Sequence, residues 1–93
     1  MVISVAVLTI RKEKNKEVSE LLNNFITDEK KRPGVVKVFA KRAMNSEDTY
    51  LLYTEYESRK AFDESEKATN AAQSGVGFVL RPYLLKAFYG NFE

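Results

Sequence analysis

Three tyrosines recur at every third position in the stretch TYLLYTEYESRKAF, Thr49 to Phe62: Tyr50, Tyr53 and Tyr56. Phenols stack on flat apolar molecules and both donate and accept hydrogen bonds, so no other segment concentrates as much recognition chemistry. Read as a helix, the three line one side, while Leu51, Leu52 and Thr54 spread round the rest. Read as a strand, Tyr50, Leu52, Thr54 and Tyr56 share one face and Thr49, Leu51, Tyr53 and Glu55 the other, with the composition strands favour. The strand is the better fit.

The chemistry open to these residues is narrowed by what is missing. The chain holds no histidine and no cysteine. The commonest general base near neutral pH, the commonest metal ligand, thiol nucleophiles, thiolate metal sites and disulfides are therefore excluded. Catalysis has to rest on carboxylates, Tyr, Arg, Lys, Asn or a bound group, and no metal site is expected.

Ninety-three residues with 44% hydrophobic and 30% charged side chains describe a single folded domain over residues 1–93, burying about 60 to 65% of its unfolded surface. Fifteen basic against thirteen acidic side chains leave a net charge of +2, too small and too mixed to mark a nucleic-acid surface. The densest basic run, Lys30, Lys31 and Arg32, reads as favourable charge at a helix C-terminus, with a phosphate site as the alternative. The apolar start VISVAVLTI is too short for a membrane span and precedes its positive charges, the wrong order for a secretory signal. The expected location is the cytoplasm, away from membranes.

The elements follow from hydrophobic period. Val2 to Ile10 is apolar and β-branched on both faces, a buried strand. Val18, Leu21, Leu22, Phe25 and Ile26 then recur at helical spacing, predicting an amphipathic helix from about Lys16, capped by Asn15 and stopped by Pro33 and Gly34. Val35 to Lys41 is a second strand, Asn45 to Asp48 a hairpin loop, and Thr49 to Tyr56 the third strand. Ser58 is a good N-cap for a helix from Arg59 to about Ala72, whose inward face is small: Ala61, Phe62, Ser65, Ala68, Thr69 and Ala72. One helical turn is expected before Pro82, and Tyr83 to Tyr89 forms the last strand. The order β-α-β-β-α-β predicts an α+β, ferredoxin-like fold with an antiparallel four-stranded sheet and both helices on one face.

Two helices cover only one face of such a sheet, yet strands one, three and four are apolar on both. Burying even about 600 Å² of the second face corresponds to roughly 15 kcal/mol of gross apolar burial, so a homodimer packed sheet to sheet is expected.

Pro33-Gly34 before strand two, the hairpin around MNSEDTY, and above all Tyr56-Glu57-Ser58-Arg59-Lys60-Ala61-Phe62 resemble the antibiotic biosynthesis monooxygenase family. The resemblance covers essentially the whole chain in length and element order. It implies a dimeric α/β barrel, two ferredoxin-like sheets face to face, in agreement with the two-sided sheet. Members include quinone-forming monooxygenases without metal or flavin, haem-degrading enzymes and proteins of no assigned activity. In the haem-degrading branch an Asn, a Trp and a His stand where this chain has Ala6, Tyr56 and Gln73, so haem ligation of that type is not expected.

The resemblance also implies a pocket between the sheet and its own helices. Its lining would be Tyr50, Leu52, Thr54 and Tyr56 of strand three and Ser4 and Ala6 of strand one, with Phe25, Phe62 and Asn70 from the helices. There a small aromatic or quinol-like substrate, once deprotonated, would itself reduce O₂ with no cofactor. Tyr56 would orient the substrate oxygen, Arg42, Arg59 or Arg81 would stabilise the anion, and Asn70 or Gln73 would donate a hydrogen bond. Catalytic roles fall most directly on Tyr56, Arg59 and Gln73. The same tyrosines also read as half-buried core with hydroxyls at the rim, and the small residues of helix two as close packing.

Three functions therefore stand side by side. The first is a dimeric monooxygenase-like enzyme, and the second a non-catalytic ligand-binding or regulatory module of the same superfamily. The third is an RNA-recognition-motif-like binder of single strands, since that motif shares the element order. Against the third, strand three lacks the early basic residue and glycines of that motif, and strand one offers no aromatic; no nucleic-acid partner is expected.

Overall fold

The computed structural model covers residues 1–93. Its elements are β1 (Val2–Ile10), α1 (Asn15–Glu29), β2 (Val35–Arg42), β3 (Thr49–Tyr56), α2 (Arg59–Ala72), the single turn α3 (Val76–Val79) and β4 (Leu84–Phe92). The four strands form one antiparallel sheet in the order β2-β3-β1-β4. With both helices on one face, this is the ferredoxin-like α+β arrangement. No helix is long and apolar enough to cross a membrane.

The strand face that meets the helices carries the even-numbered residues of β1 and β3. Val2 pairs with Tyr56, Ser4 with Thr54, Ala6 with Leu52, and Leu8 with Tyr50. The odd-numbered residues turn away, as period-two alternation requires. On that far face Val7 stands opposite Phe88, and Ile3 opposite Phe92, while Phe39 and Tyr53 stack with ring centroids 4.9 Å apart. Phe88 and Phe92 are 59% and 55% exposed.

The core is divided. Under α1, Val18 and Leu22 pack with Leu8, Ile10, Val38, Tyr50, Leu52 and Leu80. A smaller cluster of Val2, Tyr56 and Ala61 sits under the start of α2. Helix α2 buries only Ala61, Ser65 and Thr69. With no large aliphatic to lay on the sheet, its C-terminal half stands off from β1 and β3, and a space opens between the two clusters.

Three local features differ from the sequence expectation. Asn15 is the first residue of α1, entered from a 3-10 turn at Lys12–Lys14, and does not cap it. Its amide instead donates to the Glu47 carbonyl (3.2 Å) and accepts from the Tyr50 hydroxyl, tying the helix start to the β2-β3 hairpin. The last strand runs to Phe92, three residues beyond Tyr89. Ala68 and Ala72, read as inward, are exposed. The Ser58 cap is formed, its hydroxyl accepting from the Ala61 backbone N–H at 3.1 Å. Gly34, at φ +83°, closes the turn into β2; a Cβ there would collide with that of Ala61, so α2 packs directly against this turn.

Candidate functional site

The space between the core clusters is a cavity of about 450 Å³, within the ordinary range for small-molecule sites. Its floor is two rows running across three strands. Leu52, Ala6 and Tyr89 form one, and Thr54, Ser4 and Asn91 the other. The central strand supplies the two smallest side chains, Ala6 and Ser4, so the floor is lowest in its middle. Helix α1 adds Phe25 and Glu29; α2 adds Ser65, Glu66, Thr69 and Asn70, with Gln73 just past its end; the turn Gly75 to Phe78 closes the far end.

The deepest polar group is the Glu29 carboxylate, 2% exposed. The Ser65 hydroxyl donates to Glu29 Oε1 at 2.8 Å and the Tyr56 hydroxyl donates to the same oxygen at 3.2 Å. Those two hydroxyls lie 3.5 Å apart. Arg32 Nε lies 3.5 Å from Glu29 Oε2. A buried carboxylate survives where its charge is hydrogen-bonded and paired, and both conditions hold here.

The surroundings push two neighbouring groups toward their protonated forms. Burial, opposed in part by the Ser65 hydrogen bond and reinforced by the Glu29 charge, raises the Tyr56 phenol to about 12. It is thus a hydrogen-bond donor throughout the neutral range. Burial and the Glu29 charge together raise the Glu66 carboxyl above its ordinary value. Phe62 sets its ring edge-on to Tyr56 at 5.5 Å, fixing the phenol in place.

Of the residues singled out from sequence, Ser4, Ala6, Phe25, Leu52, Thr54, Tyr56, Asn70 and Gln73 line the cavity together. Tyr50, Phe62 and Arg59 do not. Tyr50 lies toward the other end of the sheet, its hydroxyl accepting from Arg42 Nη2 at 2.9 Å. Phe62 stands behind Tyr56. Arg59 is exposed and pairs with Asp63 at 3.5 Å and Glu93 at 2.9 Å. Arg42 and Arg81 are also absent from the lining. Gln73 caps α2 with φ +52°. The Gln73 and Ser74 backbone N–H groups return to the carbonyls of Asn70 (3.2 Å) and Thr69 (2.9 Å), closing a Schellman-type end in which glycine is the usual residue.

Sequence reasoning passed over Glu29, Glu66, Tyr89 and Asn91, and placed Ser65 on the inward face of α2 without a polar role. For Glu29 a signal was present: it follows Val18, Leu22 and Phe25 at helical spacing, an acid on the apolar stripe. The charged neighbours Asp28, Lys30, Lys31 and Arg32 masked it. Asn91 lay past the expected end of the last strand.

The family model for antibiotic biosynthesis monooxygenase matches residues 1–73. No curated protein sequence matches the chain. Among solved structures, a candidate antibiotic biosynthesis monooxygenase from Deinococcus radiodurans superposes with a TM-score of 0.88 at 15% identity, covering 100% of this chain and 91% of its own. A conserved protein from Methanosarcina mazei gives 0.86 at 15% identity, covering 99% and 90%. A variant of SnoaB, a cofactor-independent oxygenase from Streptomyces nogalater, gives 0.85 at 16% identity, covering 99% and 90%. At these identities the likeness is one of fold.

Proposed function

The chain belongs to the antibiotic biosynthesis monooxygenase family, and from that premise we propose that it oxygenates a small aromatic or quinol-like substrate in the cavity between sheet and helices, with no cofactor. The observation that carries this reading is the Glu29 carboxylate, buried on the cavity wall and held by the Ser65 and Tyr56 hydroxyls. A fixed, water-shielded carboxylate is a general base placed where a phenol or activated C–H can reach it.

In the proposed reaction Glu29 takes a proton from the substrate. The resulting anion gives an electron to O₂, and the two radicals combine to form a carbon-bound peroxide. Loss of the remaining C–H proton with cleavage of the O–O bond leaves a carbonyl, and the second oxygen departs as water. One CH₂ group and one O₂ thus give one C=O and one H₂O, all the electrons coming from the substrate. Tyr56, kept protonated, turns its single O–H from Glu29 to the substrate oxygen once Glu29 has taken the proton, and Asn70 and Gln73 hold the substrate's outer end from the rim. Arg59, paired at the surface, is given no part.

We also infer a homodimer through the far face of the sheet. Val7, Phe88 and Phe92 there are too apolar and too closely grouped for a solvated surface, and a second copy covers them with the same groups.

One observation favours the non-catalytic binding module. Both oxygens of Glu29 already have partners within the protein, so the carboxylate is already occupied before any substrate arrives. Oxygen consumption and quinone absorbance, followed together over a panel of anthrone-type and quinol-type substrates, separate the two. Turnover that falls by about 100-fold in Glu29→Gln supports the enzyme. Ligand binding without oxygen uptake across the panel leaves the binding module.

A further inference from the structure

We propose that the cavity selects its ligand by charge: it accepts a planar aromatic that is neutral or carries an amine, and rejects one that carries a carboxylate. The inference rests on the reading of the cavity as the ligand site. Among its eighteen lining residues the only charged side chains are Glu29 and Glu66; no lysine or arginine lines it.

Neither carboxylate is neutralised from within the cavity. The cation nearest to Glu29, Arg32, pairs with it at 3.5 Å from a neighbouring recess of about 150 Å³, which shares Phe25, Glu29 and Thr69 with the cavity. Glu66 takes part in none of the chain's ion pairs, which join Arg32 to Glu29 and Arg59 to Asp63 and Glu93. The Glu66 carboxyl is raised first by burial and then by the Glu29 charge, so the two acids act on one another across this space.

The charged lining is acidic, although the chain as a whole carries +2. Its sign is therefore a property of the site and not of composition. The other polar lining groups, Ser4, Thr54, Asn70, Gln73 and Asn91, are uncharged and serve hydroxyl or amine equally. A ligand carboxylate would bring a further negative charge against Glu66, which has no ion-pair partner, in a space lined by no cation, a repulsive element of the kind that sets specificity. A phenol or an ammonium instead donates to acceptors already in place.

Calorimetric titration of the full chain near pH 7 with three ligands on one ring system tests this: 2-naphthol, 2-naphthylmethylamine and 2-naphthoate. The expected order puts the amine level with or tighter than 2-naphthol, and 2-naphthoate weaker than 2-naphthol by about tenfold, or ~1.4 kcal/mol. In Glu66→Gln the penalty on 2-naphthoate, taken against 2-naphthol in the same variant, shrinks by roughly threefold. Equal or tighter binding of 2-naphthoate overturns the charge rule while leaving the cavity as the site. An unchanged penalty in Glu66→Gln, with 2-naphthol still bound, overturns the placing of the ligand against Glu66. Failure of all three ligands to bind overturns the reading of the cavity, and the charge rule with it.

Discussion

Glu29 on α1 and Ser65 on α2 are joined by a buried 2.8 Å hydrogen bond, which links the two helices across one end of the cavity. With Tyr56 of β3 bonded to the same carboxylate oxygen, three elements far apart in sequence meet at one acceptor. Their contact is polar where most helix-to-sheet contacts are apolar, and this has consequences for stability as well as for chemistry.

Removing one of the two donors should cost stability without emptying the site. Ser65→Ala leaves Glu29 with Tyr56 and Arg32, and the loss should be about 1.5 to 3 kcal/mol, the usual range for a hydrogen bond to a charged group. Glu29→Ala removes the acceptor and strands both hydroxyls, so its loss should be larger. Chemical denaturation measures both; equal stability of the Ser65→Ala variant and the parent would contradict a structural bond here.

Tyr56 should leave a mark at alkaline pH. Its phenol is raised in the folded state to about 12 from an ordinary value of 10.0. Below the unfolded value both states are protonated and the contribution is complete; above it the unfolded chain ionises first. Stability from Tyr56 should therefore fall as pH rises from about 10 to about 12. In Tyr56→Phe this part of the fall should be missing, so the stability difference between parent and variant shrinks across that window. Denaturant titrations at stepped pH read the difference; a gap that stays constant would show the phenol to be unperturbed.

Gln73 separates stability from binding. It holds φ +52° at the end of α2, a conformation that glycine adopts at little cost and other residues do not. Gln73→Gly should therefore stabilise the fold by about 0.5 to 1 kcal/mol. The same change removes an amide from the cavity rim and should weaken ligand binding by a few-fold. A variant that is more stable and binds as well as the parent would leave Gln73 with a capping role only.

The far face of the sheet supplies the last test. Phe88 is exposed and stands opposite Val7, so Phe88→Glu puts a charge into the middle of the inferred dimer contact. Light scattering should give the mass of two chains for the parent and of one for the variant, with the helical circular-dichroism signal kept. A parent that runs as a single chain at all concentrations removes the dimer from the account.

Much of this is legible in the residues alone. Strand alternation alone sorts Tyr53 from Tyr50 and Tyr56, and in the fold Tyr53 lies on the far face, bonded to Glu55 at 2.9 Å. The Ser58 cap, the helical stripe Val18, Leu22 and Phe25, and the element order are local patterns whose period is set by the backbone, so they survive folding unchanged. Even the cavity floor was partly visible, since small residues at Ser4 and Ala6 on an otherwise bulky strand leave room for something.

What the tertiary structure alone decided is which of these residues meet. Tyr50 and Tyr56 share a strand face, yet one is tied to Arg42 and Asn15 at one end and the other to Glu29 and Ser65 near the cavity. The separation along the strand is a local fact; the partner waiting at each end is not. Glu29 is the clearest case, for a charge at a helix end is ordinarily solvated, and only the packing of α1 and α2 over β3 turns it into a buried acceptor. Burial of a charge depends on what surrounds it from every side, and in this chain those surroundings come from residues 27 and 36 positions further along.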